Sequence, residues 1–528
     1  MEVLNHTLAI DFGTSNSSVY LFKNHSEVLC DQTGSYLFPS YVEYSKNNII
    51  TGFAAKRNIG KSGKYVVSCV KRLIGLTYEE YELLDEKNIF GCEVVRGDDG
   101  FPYFVVSSDR KLVSCVDVAA ELFKEMKSRA DTYCDPRRFD SVYLTVPADY
   151  KPNQCDAICK AAEKAGLIVK KMIAEPSAAA LSYLLDCKDQ IGSQEKILVY
   201  DFGGGTFDAS LLTYSPTKGI NILGEEGNHC LGGNDVDLAI VRYVMKMAEK
   251  ETNAVLIPPS NRAFKKFSLL KELCEEAKLS LFSSPSTDIC LDEINPDFES
   301  FPLLPSSLDY CIEDVVNETI TCVKKVIHDN HLSPGNIRHV FLVGGSSKLR
   351  LVRSILSNFF GENCDFPAID PQHCVSLGAM KLLIQDSSNK NQNSQNQNLI
   401  TSLTASYGIE ISANEILILL RKGSVVPLTS HCYTFKTSYD YQNVVSMKIF
   451  QYSKTISSRE NFTIVNKSEC HELYSLDFSL QKQLPAGSYY IDIEFSFDIG
   501  GVLTVYCYEH SSHQLLYTCN YNPIYGSY

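Results

Sequence analysis

The spacing of apolar and polar residues divides this chain into two parts. Up to about Asp386, short β-rich apolar runs alternate with longer segments of helical spacing, which is typical of α/β architecture. The predicted strands of this part are LAIDF (8–12), SVYLTV (141–146), KILVYDF (196–202) and HVFLVGG (339–345). From about residue 401 the period changes to two, so we expect an all-β domain there.

The period of two is clearest near the end of the chain. In IDIEFSFD (491–498) apolar and polar residues alternate, which predicts a half-buried strand. Gly500 and Gly501 can take positive φ, and VLTVYCY follows them, so the segment predicts a β-hairpin.

A polar segment separates the two parts. Residues 387–398, SSNKNQNSQNQN, contain no apolar side chain and therefore cannot contribute to a core. We expect a domain at 1–386, an Asn/Gln/Ser-rich linker at 387–400 and a second domain at 401–528.

Length and composition exclude several classes of protein. At 528 residues the chain is too long for one core, and its 44% hydrophobic and 21% charged residues are typical of a globular protein. The net charge of −14 and the lack of a basic stripe argue against a nucleic-acid partner. No run approaches a membrane span and MEVLNHTLAI does not resemble a secretory signal, so we expect a cytoplasmic protein without a membrane partner and with free thiols.

Two similar turns carry the first candidate chemistry. In AIDFGTSNSSVY a strand ends at Asp11, and in YDFGGGTFD another ends at Asp201; glycines and hydroxyl residues follow both. Glycine lets backbone N–H groups approach an anion, and hydroxyls add donors, so each turn is suited to phosphate. A carboxylate beside phosphate needs a cation between them, which indicates partly hydrated Mg²⁺ on Asp11 and Asp201. The candidate phosphate-binding residues are Gly13, Thr14, Ser15, Asn16, Gly203, Gly204, Gly205 and Thr206.

The alternative is two ordinary hairpin turns with solvated aspartates, and the recurrence of the pattern favours the phosphate interpretation. A third turn, Gly344-Gly345, follows the strand 339–343 and precedes a helix with Leu349, Val352, Leu356 and Phe359 on one face. Strand, glycine turn and helix N-terminus form a nucleotide-type site, although a tight connection also needs glycine by itself.

The order of these motifs resembles the heat shock protein 70 family, chaperones of the actin and hexokinase ATPase superfamily. The residues that carry the resemblance are AIDFGTSNSSV, VKRLIG, LTVPADY, AEPSAAALSYL, YDFGGGTFD, LGGNDVD and FLVGGSSK. They imply a two-lobed, actin-like ATPase domain over 1–386. A fainter resemblance in YGIE, GSVVP and IEFSFDIGGVLTV implies that 401–528 is the family's β-sandwich, which binds peptides.

The resemblance also implies roles for single residues. Asp11 and Asp201 would hold Mg²⁺, Lys71 would reach the γ-phosphate, and Glu175 would orient or deprotonate the attacking water. Thr206 and Asp208 match positions that bind a monovalent cation such as K⁺ or assist the water. The other implied ATP/ADP contacts are Gly232, Gly233, Glu275, Lys278, Gly344, Gly345, Ser346 and Lys348.

The chain departs from the family pattern at the adenine end of this site. Phe282 replaces a serine, Lys348 replaces an arginine, and Gln372 replaces an acid. Lysine does not stack as a guanidinium plane does, so we expect weaker binding of adenine. Asn16 also stands where many members carry tyrosine.

The elements that join the two domains depart as well. Thr401 replaces an acid of the linker and Cys155 replaces the arginine that receives it, which suggests weaker coupling between the domains. Lys171 replaces an arginine associated with J-domain cochaperones. No helical lid follows the β domain as far as Tyr528, so we expect short-lived peptide retention.

These features predict an ATP-dependent chaperone of the stress response. Its expected partners are unfolded or extended polypeptides, a J-domain cochaperone and a nucleotide-exchange factor. One alternative is a scaffold that assists a J-domain protein at the ribosome with little ATPase activity. Another is a small-molecule kinase of the same superfamily. The presence of Asp11, Lys71, Glu175 and Asp201 favours an active ATPase.

Overall fold

A computed structural model describes residues 2–389, 403 and 405–527, with internal gaps. The gaps are 31–33, 46–47, 62, 85–86, 148–149, 187–194, 216–218, 229, 261–262, 423, 425–427, 453–455, 457–462, 481, 498–502 and 523–525.

Residues 2–186 form a first lobe around one mixed sheet. Its helices are α1 (Glu2–His6), α2 (Gly52–Lys56), α3 (Tyr78–Glu82), α4 (Cys115–Tyr133), α5 (Pro152–Lys164) and α6 (Glu175–Asp186). Its strands are β1 (Thr7–Asp11), β2 (Asn16–Phe22), β3 (Ser26–Val28), β4 (Phe38–Pro39), β5 (Val42–Tyr44), β6 (Ile49–Thr51), β7 (Tyr65–Val67), β8 (Val94–Arg96), β9 (Pro102–Val105), β10 (Leu112–Ser114), β11 (Ser141–Val146) and β12 (Ile168–Ala174). The main sheet has the order β12-β11-β1-β2-β3, with β4 also paired to β2. Strand β1 is parallel to β11 and antiparallel to β2, and the first glycine turn follows its carboxyl end.

Residues 195–389 form a second lobe on a similar plan. Its helices are α7 (Gly233–Thr252), α8 (Ala263–Ser280), α9 (Pro305–Asp329), α10 (Arg350–Phe360) and α11 (Cys374–Asn389). Its strands are β13 (Lys196–Phe202), β14 (Phe207–Ser215), β15 (Gly219–Asn228), β16 (Thr287–Ile289), β17 (Phe301–Leu303) and β18 (Ile337–Val343). The sheet order is β15-β14-β13-β18, and β13 runs parallel to β18. The second glycine turn joins β13 to β14, as the first joins β1 to β2.

Helices α6 and α11 connect the two lobes. They share a buried cluster with residues of both sheets, including Ala9 and Phe341. The ring of Tyr183 stacks on Phe341 with centroids 4.2 Å apart. The helices approach so closely that a Cβ on Gly378 would overlap the backbone carbonyl of Ala178.

Residues 405–527 form the all-β part. Its strands are β19 (Ser406–Ser412), β20 (Glu415–Leu420), β21 (Leu428–Thr429), β22 (Tyr433–Lys436), β23 (Val444–Tyr452), β24 (Thr463–Asn466), β25 (His471–Ser479), β26 (Tyr490–Phe497), β27 (Leu503–Glu509), β28 (Leu515–Asn522) and β29 (Gly526–Ser527). They form one sheet of order β24-β20-β19-β23-β25 and another of order β21-β26-β27-β28-β29, with β22 also paired to β26. The inward residues of both sheets share one core, which is the arrangement of a sandwich.

Several local predictions agree with this structure. SVYLTV and KILVYDF coincide with β11 and β13. The alternating residues Ile491, Ile493, Phe495 and Phe497 are buried, and β26 and β27 pair antiparallel. The predicted hairpin turn at Gly500-Gly501 lies outside the described residues.

Other predictions need adjustment or stay open. A 3₁₀ turn, Gly345–Lys348, stands between the third glycine turn and α10, and Phe360 is more deeply buried than Phe359. Helix α11 continues to Asn389, within the predicted linker, while 390–400 and Thr401 lie outside the described residues. The domain boundaries stay a prediction. Across the described ranges, none of the helices combines the length and apolar character needed to cross a bilayer.

Candidate functional site

The predicted site residues converge on one cavity of about 490 Å³ that both lobes line. The predicted residues in its lining are Asp11, Gly13, Thr14, Ser15, Asn16, Lys71, Glu175, Asp201, Gly203, Gly204, Gly205, Thr206, Gly233, Glu275, Lys278, Gly344, Gly345, Ser346 and Lys348. Gly232 and Asp208 are outside that lining. The three glycine turns, separated widely in sequence, therefore face the same space.

The first and second turns are packed directly against each other. A Cβ on Gly205 would lie 2.5 Å from both Oγ1 and Cγ2 of Thr14, and a Cβ on Gly204 would overlap Ser15. Larger residues would therefore push the turns apart. Glycine at these positions brings the backbone N–H groups of one lobe beside the hydroxyls of the other, which is a suitable cradle for an anion.

The start of α7 holds the second turn from behind. The N–H of Gly233 donates to the carbonyl of Gly203 at 2.9 Å, and the N–H of Asn234 donates to that of Gly204 at 2.8 Å. A Cβ on Gly232 would lie within 2.7 Å of the Gly205 backbone. Gly232 is therefore placed to support the turn. Asp208 lies opposite Asp201 in the β13–β14 pair.

One ion pair of the cavity, Lys71 with Glu175, is almost completely buried. The Nζ of Lys71 donates to Oε1 of Glu175 at 2.6 Å, and their side chains are only 6% and 9% exposed. Asp11 accepts a 3.1 Å hydrogen bond at Oδ1 from the hydroxyl of Thr145. The parallel register of β1 and β11 places Thr145 beside Asp11, a contact that the sequence did not reveal.

Burial and mutual repulsion control the protonation of these groups. Burial raises the pKa of Asp11, although Lys71 acts in the opposite direction. Burial, Glu175 and Asp11 all hold the pKa of Asp201 well above its ordinary value. Burial disfavours the charged form of Lys71, but Glu175 and Asp11 outweigh it, so the pKa of Lys71 is raised.

The arrangement of charges in the cavity is suited to binding a further cation. Three carboxylates surround the single ammonium of Lys71, so a further positive charge would favour their ionised forms. Within the described ranges, no three His, Cys, Asp or Glu side chains converge as a direct metal-ligand set. Asp11 and Asp201 offer the oxygen donors that suit Mg²⁺, which commonly keeps several waters and takes one or two carboxylates.

Arg72 connects the two lobes beside the cavity. Its Nε and Nη2 donate to the carbonyl of Gly205 at 2.9 and 2.6 Å, and Nη2 also reaches Asp235 at 2.8 Å. In VKRLIG, the sequence indicated a role only for Lys71. No local pattern distinguished Arg72, because both of its partners come from the second lobe.

Helix α8 supplies a set of paired charges at another part of the cavity. Lys56 lies 2.7 Å from Glu275, and Lys278 lies 2.6 Å from Asp237. Burial acts to raise the pKa of Glu275, but Lys56 and Lys278 outweigh it and lower that pKa to about 2. Glu275 and Lys278 were predicted from the sequence, whereas Lys56 and Asp237 were not.

The three departures predicted for the adenine end, Phe282, Lys348 and Gln372, also line this cavity. Lys348 donates to Oε1 of Gln372 at 2.6 Å and lies 2.9 Å from Asp370. Phe282 and Leu279 are each 48% exposed, and of these two only Leu279 had no signal in the sequence.

A polar cluster joins the lobes next to Lys348. Asp370 accepts a hydrogen bond from the hydroxyl of Tyr36, and Tyr20 OH lies 3.0 Å from Nδ1 of His373. The ring of Tyr36 meets that of His373 edge to face at 5.0 Å. Burial lowers the pKa of His373, although Asp370 acts against this shift.

Two other departures have clear positions. Cys155 on α5 is 2% exposed and belongs to the core of the first lobe, so a guanidinium there would displace packed side chains. Lys171 pairs with Asp386 at 3.0 Å.

The chain is similar in sequence to known proteins. The sequence model of the family described as "Hsp70 protein" matches residues 7–515. The "Chaperone protein DnaK" of Burkholderia cepacia is 30% identical over 513 residues, which covers 94% of this chain and 74% of that protein.

Proposed function

Because the chain belongs to the Hsp70 family, we propose that it binds and hydrolyses ATP and uses this cycle to bind and release extended polypeptide segments. The observation that carries the proposal is the convergence of the two packed glycine turns with Asp11, Asp201 and the Lys71–Glu175 pair on one cavity.

Each group of this cavity has a role in that proposal. The turns would hold the phosphates through backbone N–H groups and hydroxyls, and Lys71 would stabilise charge on the transferred group. Glu175 would take the proton of the attacking water. Asp11 and Asp201 would hold a hydrated Mg²⁺, which when bound neutralises phosphate charge.

The β-sandwich would bind the polypeptide. Its two sheets share one core, so the strands form a stable frame on which loops can hold an extended segment. The similarity to a chaperone supports clients that are unfolded, as well as a J-domain cochaperone and a nucleotide-exchange factor as partners. We place the protein in the cytoplasm on the same basis.

Single-turnover hydrolysis of Mg²⁺-ATP by the full chain tests the proposal. The assay is run with and without an extended apolar peptide, with Lys71→Ala as the blank. Hydrolysis that the peptide accelerates is the expected result. Basal hydrolysis without acceleration would indicate uncoupled domains, and no hydrolysis above the blank would favour a scaffold. Phosphate transfer that saturates with a sugar would favour a kinase.

A further inference from the structure

The cavity contains an apolar surface at the end of α8. Leu279 and Phe282 both line the cavity and are each 48% exposed. The backbone N–H of Phe282 donates to the carbonyl of Leu279 at 3.2 Å, so the two side chains belong to one turn of chain. A half-exposed aromatic ring in the lining of a cavity is suited to a flat apolar group.

The position of this surface fits the length of a nucleotide. Near the phosphate turns, the Nζ of Lys271 on α8 donates to Asn234 at 2.7 Å, and Asn234 in turn holds the carbonyl of Gly204. Leu279 lies eight residues further along the same helix, which is about 12 Å at the rise of an α-helix. A nucleoside triphosphate whose phosphates are held by the turns would therefore bring its base to the surface formed by Leu279 and Phe282.

The polar side chains around this surface are already paired with one another. Lys278 is bonded to Asp237, and Lys348 is bonded to Gln372 and Asp370. A site that hydrogen-bonds one edge of a ligand rejects analogues strongly, whereas an apolar face discriminates weakly between rings of similar size. Stacking is tolerant of base identity because every base has a π-face.

Resting on the proposed function, we propose that Phe282 determines the base specificity of this site by stacking on the base of the nucleotide. The site accepts adenine and guanine nucleotides with similar affinity and prefers both to the smaller ring of a pyrimidine nucleotide. Selectivity between bases comes from the area of the base that stacks on Phe282, and the phosphate turns provide the rest of the binding affinity.

Calorimetric titration of the full chain with Mg²⁺ complexes of ATP, GTP, CTP and inorganic tripolyphosphate tests this. We expect ATP and GTP to bind within about fivefold of each other and CTP more weakly. Phe282→Ser is expected to weaken ATP and GTP about tenfold or more, with tripolyphosphate unchanged. Phe282→Tyr, which keeps the ring, is the matched control and is expected to bind like the natural chain. Because Phe282 is half exposed, both variants should keep the melting temperature of the natural chain.

Either of two results would reject the role of Phe282 and leave the proposed function intact. One is equal ATP affinity in Phe282→Ser and the natural chain, and the other is GTP binding more than about 100-fold weaker than ATP. A natural chain that binds neither ATP nor tripolyphosphate would overturn the proposed function as well. Tripolyphosphate that binds as tightly as ATP would leave the phosphate site standing and reject the base site.

Discussion

The ammonium of Lys71 and the carboxylate of Glu175 meet at 2.6 Å although 104 residues separate them. Lys71 comes from a 3₁₀ turn, Val70–Arg72, and Glu175 begins α6, so two distant elements of the first lobe meet at the cavity. A buried pair of this kind is sensitive to the loss of either partner, because the other is left as an uncompensated charge.

Replacing either partner should remove most of the hydrolysis. We expect Lys71→Met and Glu175→Gln each to slow single-turnover ATP hydrolysis about 10²- to 10³-fold, since in the proposed function each group would act on charge or a proton at the reacting phosphate. The matched control is Lys124→Met, which removes a lysine of an exposed pair with Glu121. A rate within about threefold of the natural chain in both cavity variants would contradict these roles.

Arg72 should control how long a nucleotide stays bound. Arg72→Lys removes the planar fork that reaches Gly205 and Asp235 together, which weakens the connection between the lobes. Since hydrogen bonds from a charged group contribute about 1.5–3 kcal/mol, we expect ADP to dissociate about tenfold faster in a stopped-flow chase with a fluorescent analogue. Arg110→Lys, in an exposed pair with Glu93, is the control and should not change this rate. An unchanged rate in Arg72→Lys would reject the role of this residue.

The close contact of α6 and α11 should make Gly378 intolerant of any side chain. In Gly378→Ala the new Cβ would overlap the carbonyl of Ala178, so the helices must separate. We expect the free energy of unfolding of the two-lobed part to fall by about 1–3 kcal/mol, measured by urea denaturation. Gly335→Ala is the control, because a Cβ there meets nothing within 4 Å. Equal midpoints for the two variants would show that α11 adjusts without cost.

Acidification should weaken the contact of the lobes at His373. Burial holds the pKa of His373 below its ordinary value of 6.5, so the unfolded chain binds a proton more readily than the folded one. The free energy of unfolding should therefore fall as pH drops through about 6.5, with Tyr20, Tyr36, Asp370 and Lys348 facing the ring. Urea midpoints at pH 7.5 and 5.5 should differ less in His373→Asn than in the natural chain. His328→Asn, whose side chain is 89% exposed, should keep the full difference.

Local patterns were sufficient for the strands and turns that build the cavity. Asp11 is the last residue of a buried strand and Asp201 is the last but one, each shortly before glycine, and that pattern depends only on neighbouring residues. The supporting contacts depend on distant parts of the chain. Thr145 meets Asp11 through the register of a parallel pair, and Arg72 meets Gly205 across the lobes, so neither contact has a local signature.

The same distinction applies to the end of α8. Phe282 appeared in the sequence as the loss of a serine, with an expected loss of affinity. The structure shows that its ring, together with Leu279, is half exposed on the cavity wall. Whether a replaced residue removes a contact or creates one depends on the direction of its side chain, which spacing alone does not fix.

The proposed anion site is divided between the two lobes, because Thr14 and Ser15 belong to one lobe and the glycines that face them belong to the other. A small rotation of one lobe would open the cradle while every strand within each lobe stayed intact. A partner that binds the outer faces of both lobes would therefore change the geometry of this site without contacting it. The angle between the lobes, more than the chemistry of either turn, would then set how firmly the ligand is held.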